Sequence, residues 1–382
     1  MLSRNIKLFK VFGIEVGLNW SWFLIFILVI FSLSTQVFPG WYPQFSLLTN
    51  IILGFITAIF FFISVLIHEL SHSVVANSSG VSIKKINLFI FGGVAQMIKP
   101  PKTAVQEFWM AIAGPFASFV LSAFFGIFWI GLKVTNFSIL PVIAFFGYLS
   151  LINLSLGTFN LLPGFPLDGG RILRSILWYF TEDLLSSTRI ASILGQIIGY
   201  GMAAFGFLSI FISVFIYQFQ SFGGLWFIIL GLFLQNLAKR SYKQEIIRSS
   251  LETIFVRDVM RKDIQTINPD ITLNDLIKNW FMIYGHKIFP VLENGKIIGT
   301  ITTEDTKIIP KDRWLTTKVK EILRPVKDTQ LIDSNVNVID AISKMNDKQL
   351  NYLLVTDQNK FLGIIYQDDI MRYAKLKRDL KI

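Results

Sequence analysis

Six apolar stretches, at about 16–37, 51–77, 106–131, 142–160, 190–216 and 222–238, dominate the chain as far as residue 238. Each approaches or exceeds the roughly 20 residues that a helix needs to cross about 30 Å of hydrocarbon. Backbone in lipid must satisfy its own hydrogen bonds, so runs of this kind are read as helices, the fourth being broken up by Pro and Gly. Beyond 238 the pattern is that of an ordinary soluble protein. The 382 residues are 53% hydrophobic with 37 Phe, too apolar for one soluble domain, and the excess is unevenly placed. The expected architecture is a polytopic α-helical membrane domain of six transmembrane helices over 1–245, followed by a soluble α/β domain over 251–382.

Charge sets the sidedness. The N-terminus carries Arg4, Lys7 and Lys10, the 38–50 loop has no Lys or Arg, and 80–103 has Lys84, Lys85, Lys99 and Lys102. The 132–141 loop has only Lys133, and the stretch after the fourth span has Arg171, Arg174 and Arg189. The 217–221 loop is uncharged, and Lys239, Arg240 and Lys243 follow the last span. Basic and non-basic loops alternate, which predicts a multi-pass protein of the cell membrane with both termini cytoplasmic. The formal charge of +11 is therefore read as topology and not as a nucleic-acid surface. No small-residue cleavage site follows the first apolar run near Gln36 to Pro43, so that run is read as a retained span. The absence of Cys excludes disulfides.

Before Glu182 the acidic residues are Glu15, Glu69, Glu107 and Asp168. Glu15 and Glu107 fall at span edges, within reach of headgroups and water. Glu69 and Asp168 lie in or beside apolar sequence, where a carboxylate marks a functional site and requires a partner. Glu69 sits in Ile67-His68-Glu69-Leu70-Ser71-His72-Ser73. Residues four apart share a helix face, so both imidazoles can hold one zinc ion while Glu69 stands beside it as general base. A hydrogen-bonded His pair between packed helices would explain the two imidazoles but not a Glu beside them in hydrocarbon.

Zinc needs a third protein ligand and an open position for water. Asp168 lies in Asn160-Leu161-Leu162-Pro163-Gly164-Phe165-Pro166-Leu167-Asp168-Gly169-Gly170, where two Pro and a Gly prevent a regular helix. Taken alone, the segment suits equally a third ligand on broken backbone and an Asp capping a helix that starts near Gly169. The lack of another intramembrane ligand tips the choice to metal. By orientation His68 is about 10–15 Å short of the cytoplasmic face, the side on which 160–170 ends.

These residues resemble the site-2 protease family of intramembrane metalloproteases. The likeness rests on His68-Glu69-Leu70-Ser71-His72, Phe91-Gly92-Gly93-Val94, Ala113-Gly114-Pro115 and Asn153 through Gly170, and covers the whole membrane part. The resemblance implies that His68, His72 and Asp168 bind one catalytic zinc and that Glu69 activates water. It implies that Asn160 orients substrate or stabilises the oxyanion. It also implies a small membrane-associated β-sheet, in which the 83–98 hairpin, with Gly92 and Gly93, pairs with an unwound substrate strand and residues 5–17 add strands. The partners would be the bilayer and a single-span membrane-protein substrate, unwound locally before attack near the cytoplasmic face.

The tail contains a weak repeat. Pro290-Val291-Leu292-Glu293-Asn294-Gly295-Lys296-Ile297-Ile298-Gly299 corresponds to Leu354-Val355-Thr356-Asp357-Gln358-Asn359-Lys360-Phe361-Leu362-Gly363, with helical runs near 272–284 and 336–348 before each. This resembles a tandem cystathionine-β-synthase (CBS) domain, with repeats at about 251–310 and 318–378. Such domains bind adenine nucleotides, which implies Thr302, Asp305 and Asp369 as nucleotide contacts; Tyr366 stands where Ser or Thr is usual. The alternative is a structural or dimerising module forming a homodimer. His286 is read as a surface residue. For the whole chain, a CBS-regulated channel or transporter predicts repeated halves or charges strung along a pathway. The polar groups converge on one point instead. An inactive relative that binds membrane partners is the remaining alternative.

Overall fold

The computed structural model describes residues 6–89, 92–97, 100–135, 139–215, 223–285, 288–348, 350–358 and 360–380. Phe91, His286 and the 217–221 loop lie outside the described residues. The chain forms two compact units, Met1–Glu245 and Ile246–Ile382.

The first unit opens with a hairpin, β1 (Ile6–Val11) and β2 (Ile14–Leu18), turning at Phe12 and Gly13, both at positive φ. Asn19 then caps α1 (Trp20–Ser32) by accepting from the Ser21 N–H at 3.0 Å. A π-helical turn, Leu33–Val37, carries the chain into α2 (Phe38–Trp41). Ser46 caps α3 (Leu47–Ser78), the helix that bears the H-E-x-x-H pattern. Then come β3 (Ile83–Phe89), β4 (Gly92–Met97), α4 (Ala104–Val134) and α5 (Leu140–Asn160). A short α6 (Asp168–Thr181) precedes α7 (Leu184–Phe215) and α8 (Gly223–Leu251).

Among the described residues five helical segments are long and apolar enough to cross a membrane: Trp20–Trp41, Leu47–Ser78, Ala104–Val134, Leu140–Asn160 and Leu184–Val214. Their packing is the inverse of a soluble bundle. Along α3, Asn50, Gly54, Thr57, Ala58, Ser64, His68, His72 and Ser73 are buried, while Ile51, Ile52, Phe55, Ile56, Ile59, Phe60 and Ile63 are exposed. Small and polar residues at helix contacts, with large apolar ones outside, suit a lipid solvent. The sixth apolar stretch lies in α8, where Gln235 and Asn236 interrupt it and Lys239 and Arg240 end it, and it is not among the five. Yet α7 and α8 pack glycine to glycine. A Cβ on Gly199 would stand 2.6 Å from Gly231 O, and one on Gly206 2.4 Å from Gly224 O.

The four strands form one sheet in the order β1-β2-β3-β4, with β2 and β3 parallel and the other pairs antiparallel. The register sets Glu15 opposite Lys85 and Ile86 opposite Ala95. One face, Ile14, Leu18, Ile86 and Leu88, packs on Trp22, Leu66 and Leu70 of α1 and α3. This ties the sheet to the helix of the histidines and leaves β4 as an edge.

Leu161 to Leu167 break the helical run between α5 and α6. The break is locked against α7: the Phe165 N–H donates to Ala191 O at 3.1 Å, and a Cβ on Gly195 would stand 1.9 Å from Phe165 O. Asp168, first residue of α6, is thereby fixed at the end of a held loop.

In the second unit, α9 (Val256–Val259), α10 (Leu273–Leu276) and α11 (Met282–Tyr284) precede β5 (Ile288–Glu293), β6 (Lys296–Thr302) and α12 (Thr303–Lys307). The other half has β7 (Arg324–Pro325), β8 (Leu331–Asp333), α13 (Val338–Lys348), β9 (Tyr352–Asp357), β10 (Lys360–Tyr366) and α14 (Gln367–Leu380). The two hairpins, β5–β6 and β9–β10, carry the repeated sequence blocks. Each half lends a segment to the other: β7 pairs with β6, and Arg261 bridges to Ile364 of β10. Separate cores, one around Phe289, Val291 and Ile301 and one around Leu353, Val355 and Ile365, match the duplicated pattern.

Candidate metal centre

The i, i+4 spacing on α3 turns both imidazoles to one side, and the 161–167 loop delivers a carboxylate to them. His68 Nε2 and His72 Nε2 lie 3.2 Å apart, and Asp168 Oδ2 lies 3.1 Å from each. Among the described residues this is the group of ionisable side chains that could hold a metal ion. Both histidines are buried. The other ring nitrogens are engaged: His72 Nδ1 is 2.6 Å from Met110 O and His68 Nδ1 is 2.9 Å from Ser118 Oγ, both on α4. A carbonyl can only accept, so His72 carries a proton on Nδ1, and as a neutral imidazole it turns the lone pair of Nε2 toward Asp168. The same tautomer at His68, with Ser118 accepting, gives three lone-pair atoms converging on one point.

That donor set fits zinc. Ligand atoms about 2.1 Å from a tetrahedral ion are about 3.4 Å apart, close to the spacing here. Two neutral imidazoles and a carboxylate are a catalytic-type set that leaves one position open. Hydrogen-bonded Nδ1 atoms are the usual way such ligands are oriented. The site also depends on an absent side chain, since a Cβ on Gly114 of α4 would lie 2.1 Å from His72 Nε2 and 2.6 Å from His68 Nε2.

Glu69 points toward the sheet. The backbone of Gly93 hydrogen-bonds its carboxylate, and a Cβ on Gly93 would lie 2.5 Å from Glu69 Cγ. Gly92 beside it has φ +122°, a conformation natural to glycine. The hairpin edge and Glu69 thus share one locality. Asn160, the last residue of α5, donates from Nδ2 to Leu156 O at 3.1 Å. The structure gives it no hydrogen bond to the three clustered residues.

Glu107 corrects the sequence-based expectation. It is not at a wet span edge but 1% exposed, accepting from Arg174 Nε at 3.0 and 3.1 Å, with Arg171 Nε 3.7 Å away. Sequence gives no warning, because both arginines belong to a basic stretch that the topology rule already accounts for. Glu15 is half-exposed and pairs with Lys7 at 3.4 Å.

In the tail the three residues named for nucleotide contact are engaged within the chain. Thr302 Oγ1 donates to Asp305 Oδ2 at 2.6 Å while capping α12, and Arg324 Nε meets Asp305 Oδ1 at 2.5 Å. Arg261 holds Asp369 through Nε and Nη2 at 2.6 and 2.8 Å, and this bond raises the guanidinium pKa further. Arg261 also lies over the Tyr366 ring, whose phenol is pushed up by burial.

The model of Peptidase family M50 matches residues 56–137 and 130–206, and that of the CBS domain matches 256–306 and 319–376. A relative in Synechocystis sp. is 32% identical over 376 residues, 97% of this chain and 96% of that one. The zinc metalloprotease of Methanocaldococcus jannaschii is 33% identical over 402 residues, covering 100% of both chains. The solved site-2 protease from Methanocaldococcus jannaschii is 36% identical, covering 62% of this chain and 95% of that one at a TM-score of 0.41.

Proposed function

This chain belongs to peptidase family M50, the site-2 proteases, as a multi-pass membrane protein with a tandem CBS tail, and from that premise we propose that it cleaves peptide bonds within membrane-spanning segments of other proteins. The observation that carries the reading is the convergence of His68 Nε2, His72 Nε2 and Asp168 Oδ2 within 3.2 Å, with Glu69 one residue along the same helix. His68, His72 and Asp168 would hold zinc. When bound, the ion supplies Lewis acidity to the scissile carbonyl and to an attacking water. Glu69 takes the proton of that water and passes it to the leaving amine. Met110 O and Ser118 keep the imidazoles in the tautomer that ligates. Gly93 holds the Glu69 carboxylate in place.

A substrate helix hides its carbonyls in its own hydrogen bonds and must open before attack. The β4 edge accepts the unwound strand by strand addition, with Gly92 and Gly93 allowing close approach and Asn160 orienting the carbonyl. We further propose six crossings with both termini cytoplasmic and the sheet within the membrane. The glycine contacts between α7 and α8 support the sixth, because close backbone approach through small residues is how helices associate in lipid. The tail regulates the protease and binds an adenine nucleotide at Thr302, Asp305 and Asp369, with Arg261 and Arg324 releasing the two aspartates.

The test is cleavage of a single-span substrate by full-length protein beside its Glu69→Gln variant. The variant retains zinc and loses cleavage. Substantial proteolysis by the zinc-loaded variant would refute the assignment of the base.

A further inference from the structure

The mechanism above uses none of the charges buried between α4, α6, α7 and α8. Arg174 is their hub. Its guanidinium meets Glu107 of α4 through Nε and Nη2, approaches Thr188 Oγ1 of α7 at 3.4 Å and Glu245 Oε2 of α8 at 3.6 Å, and lies 5.0 Å from the centre of the Phe165 ring. Arg171, one turn earlier on α6, reaches the same Glu107. Two acids and two bases balance in charge there, and Glu107 is 1% exposed.

Burying two carboxylates against half-buried arginines is a poor route to stability, since apolar residues of the same size do as well or better. What a forked arginine and a buried carboxylate give is a fixed geometry between the elements that they join. Here those elements carry the metal ligands. Glu107, Met110, Gly114 and Ser118 recur on α4 at intervals of three and four residues, which puts them on one face. Met110 O orients His72, Ser118 orients His68, and Gly114 leaves room for both rings. Asp168 has no such partner on α4. Its helix is held there instead by Arg171 and Arg174, about 4.5 and 9 Å along the axis from it. Arg174 also braces Phe165 in the loop just before Asp168.

We propose that Glu107 and Arg174 are positioning residues for the metal ligand Asp168, so that one face of α4 places all three ligands. This rests on the metal reading of the site.

The experiment uses full-length protein in detergent with Co2+ in place of zinc, and reads cobalt affinity, visible absorption and melting temperature. Glu107→Asp keeps its charge but draws the carboxylate back by one methylene. Arg174→Lys keeps its charge but loses the fork. Each is expected to weaken cobalt binding about tenfold or more and to shift the absorption bands, as loss of an outer partner does. Ser122→Ala, which removes the hydrogen bond that Ser122 Oγ donates to Ser150 O further along α4 and keeps the return bond to its own carbonyl, is the control and leaves both readouts unchanged. If the single changes do not give folded protein, Glu107→Gln combined with Arg174→Gln removes both charges together and is read in the same way. Unchanged cobalt affinity and spectrum, with or without a fall in melting temperature, would overturn the proposal. A wild-type protein that binds no cobalt would overturn the metal reading instead.

Discussion

Gly93 on the hairpin and Glu69 on α3 approach so closely that a single added methyl group would stand 2.5 Å from Glu69 Cγ and 2.7 Å from its carboxyl carbon. The obstructed atoms belong to the outer part of a pliable side chain, so the backbone need not move. Gly93→Ala is therefore expected to displace the proposed base and leave the three proposed metal ligands where they are. Zinc content should equal that of the wild type while cleavage falls about a hundredfold, the scale of a lost general base. Metal analysis beside a cleavage assay checks both halves.

The same substitution at Gly114 should act on the metal. Its methyl group would meet the Nε2 atoms of both histidines, the proposed ligand atoms, at 2.1 and 2.6 Å. Neither ring can retreat while its Nδ1 is held by α4. Gly114→Ala is expected to lower zinc to well below one per chain, read by elemental analysis of purified protein.

Ser118→Ala takes away the partner of His68 Nδ1 and leaves a buried ring nitrogen without one. Metal affinity should fall about tenfold by competition with a chelator, with the fold intact. The same loss at His72 cannot be engineered so simply, because its partner is a main-chain carbonyl.

These three positions show where sequence reasoning reached and where it stopped. The spacing of His68 and His72 is enough to put them on one helix face, and it sets Glu69 beside them rather than on that face. Asp168 is reached by scarcity, as the only other carboxylate in or beside apolar sequence before Glu182 once Glu15 and Glu107 are set at span edges. Gly114 stands out only as part of the Ala113-Gly114-Pro115 likeness and Ser118 not at all, since what they touch depends on where α4 crosses α3, and crossing geometry is not written in either helix by itself. Glu107 misleads for a related reason: its burial depends on two arginines 64 and 67 residues further along the chain. In the tail, the repeated blocks announce two hairpins, but the exchange of edge segments between halves becomes visible only in three dimensions.

Sidedness can be tested cleanly because the chain has no Cys. Gln44→Cys in the loop before α3 should react with a membrane-impermeant maleimide on intact cells. Lys296→Cys in the tail should react only after lysis. Labelling of both, or of neither, on intact cells would contradict the even number of crossings before the tail.

The whole account turns on whether one ion is held jointly by α3 and the start of α6. Zinc-edge X-ray absorption of the purified full-length protein tests this directly. Two imidazole nitrogens and carboxylate oxygen are predicted in the inner shell of the wild type, with the zinc signal lost in both His72→Ala and Asp168→Ala. A wild-type shell without imidazole, or one unaltered in either variant, would contradict it.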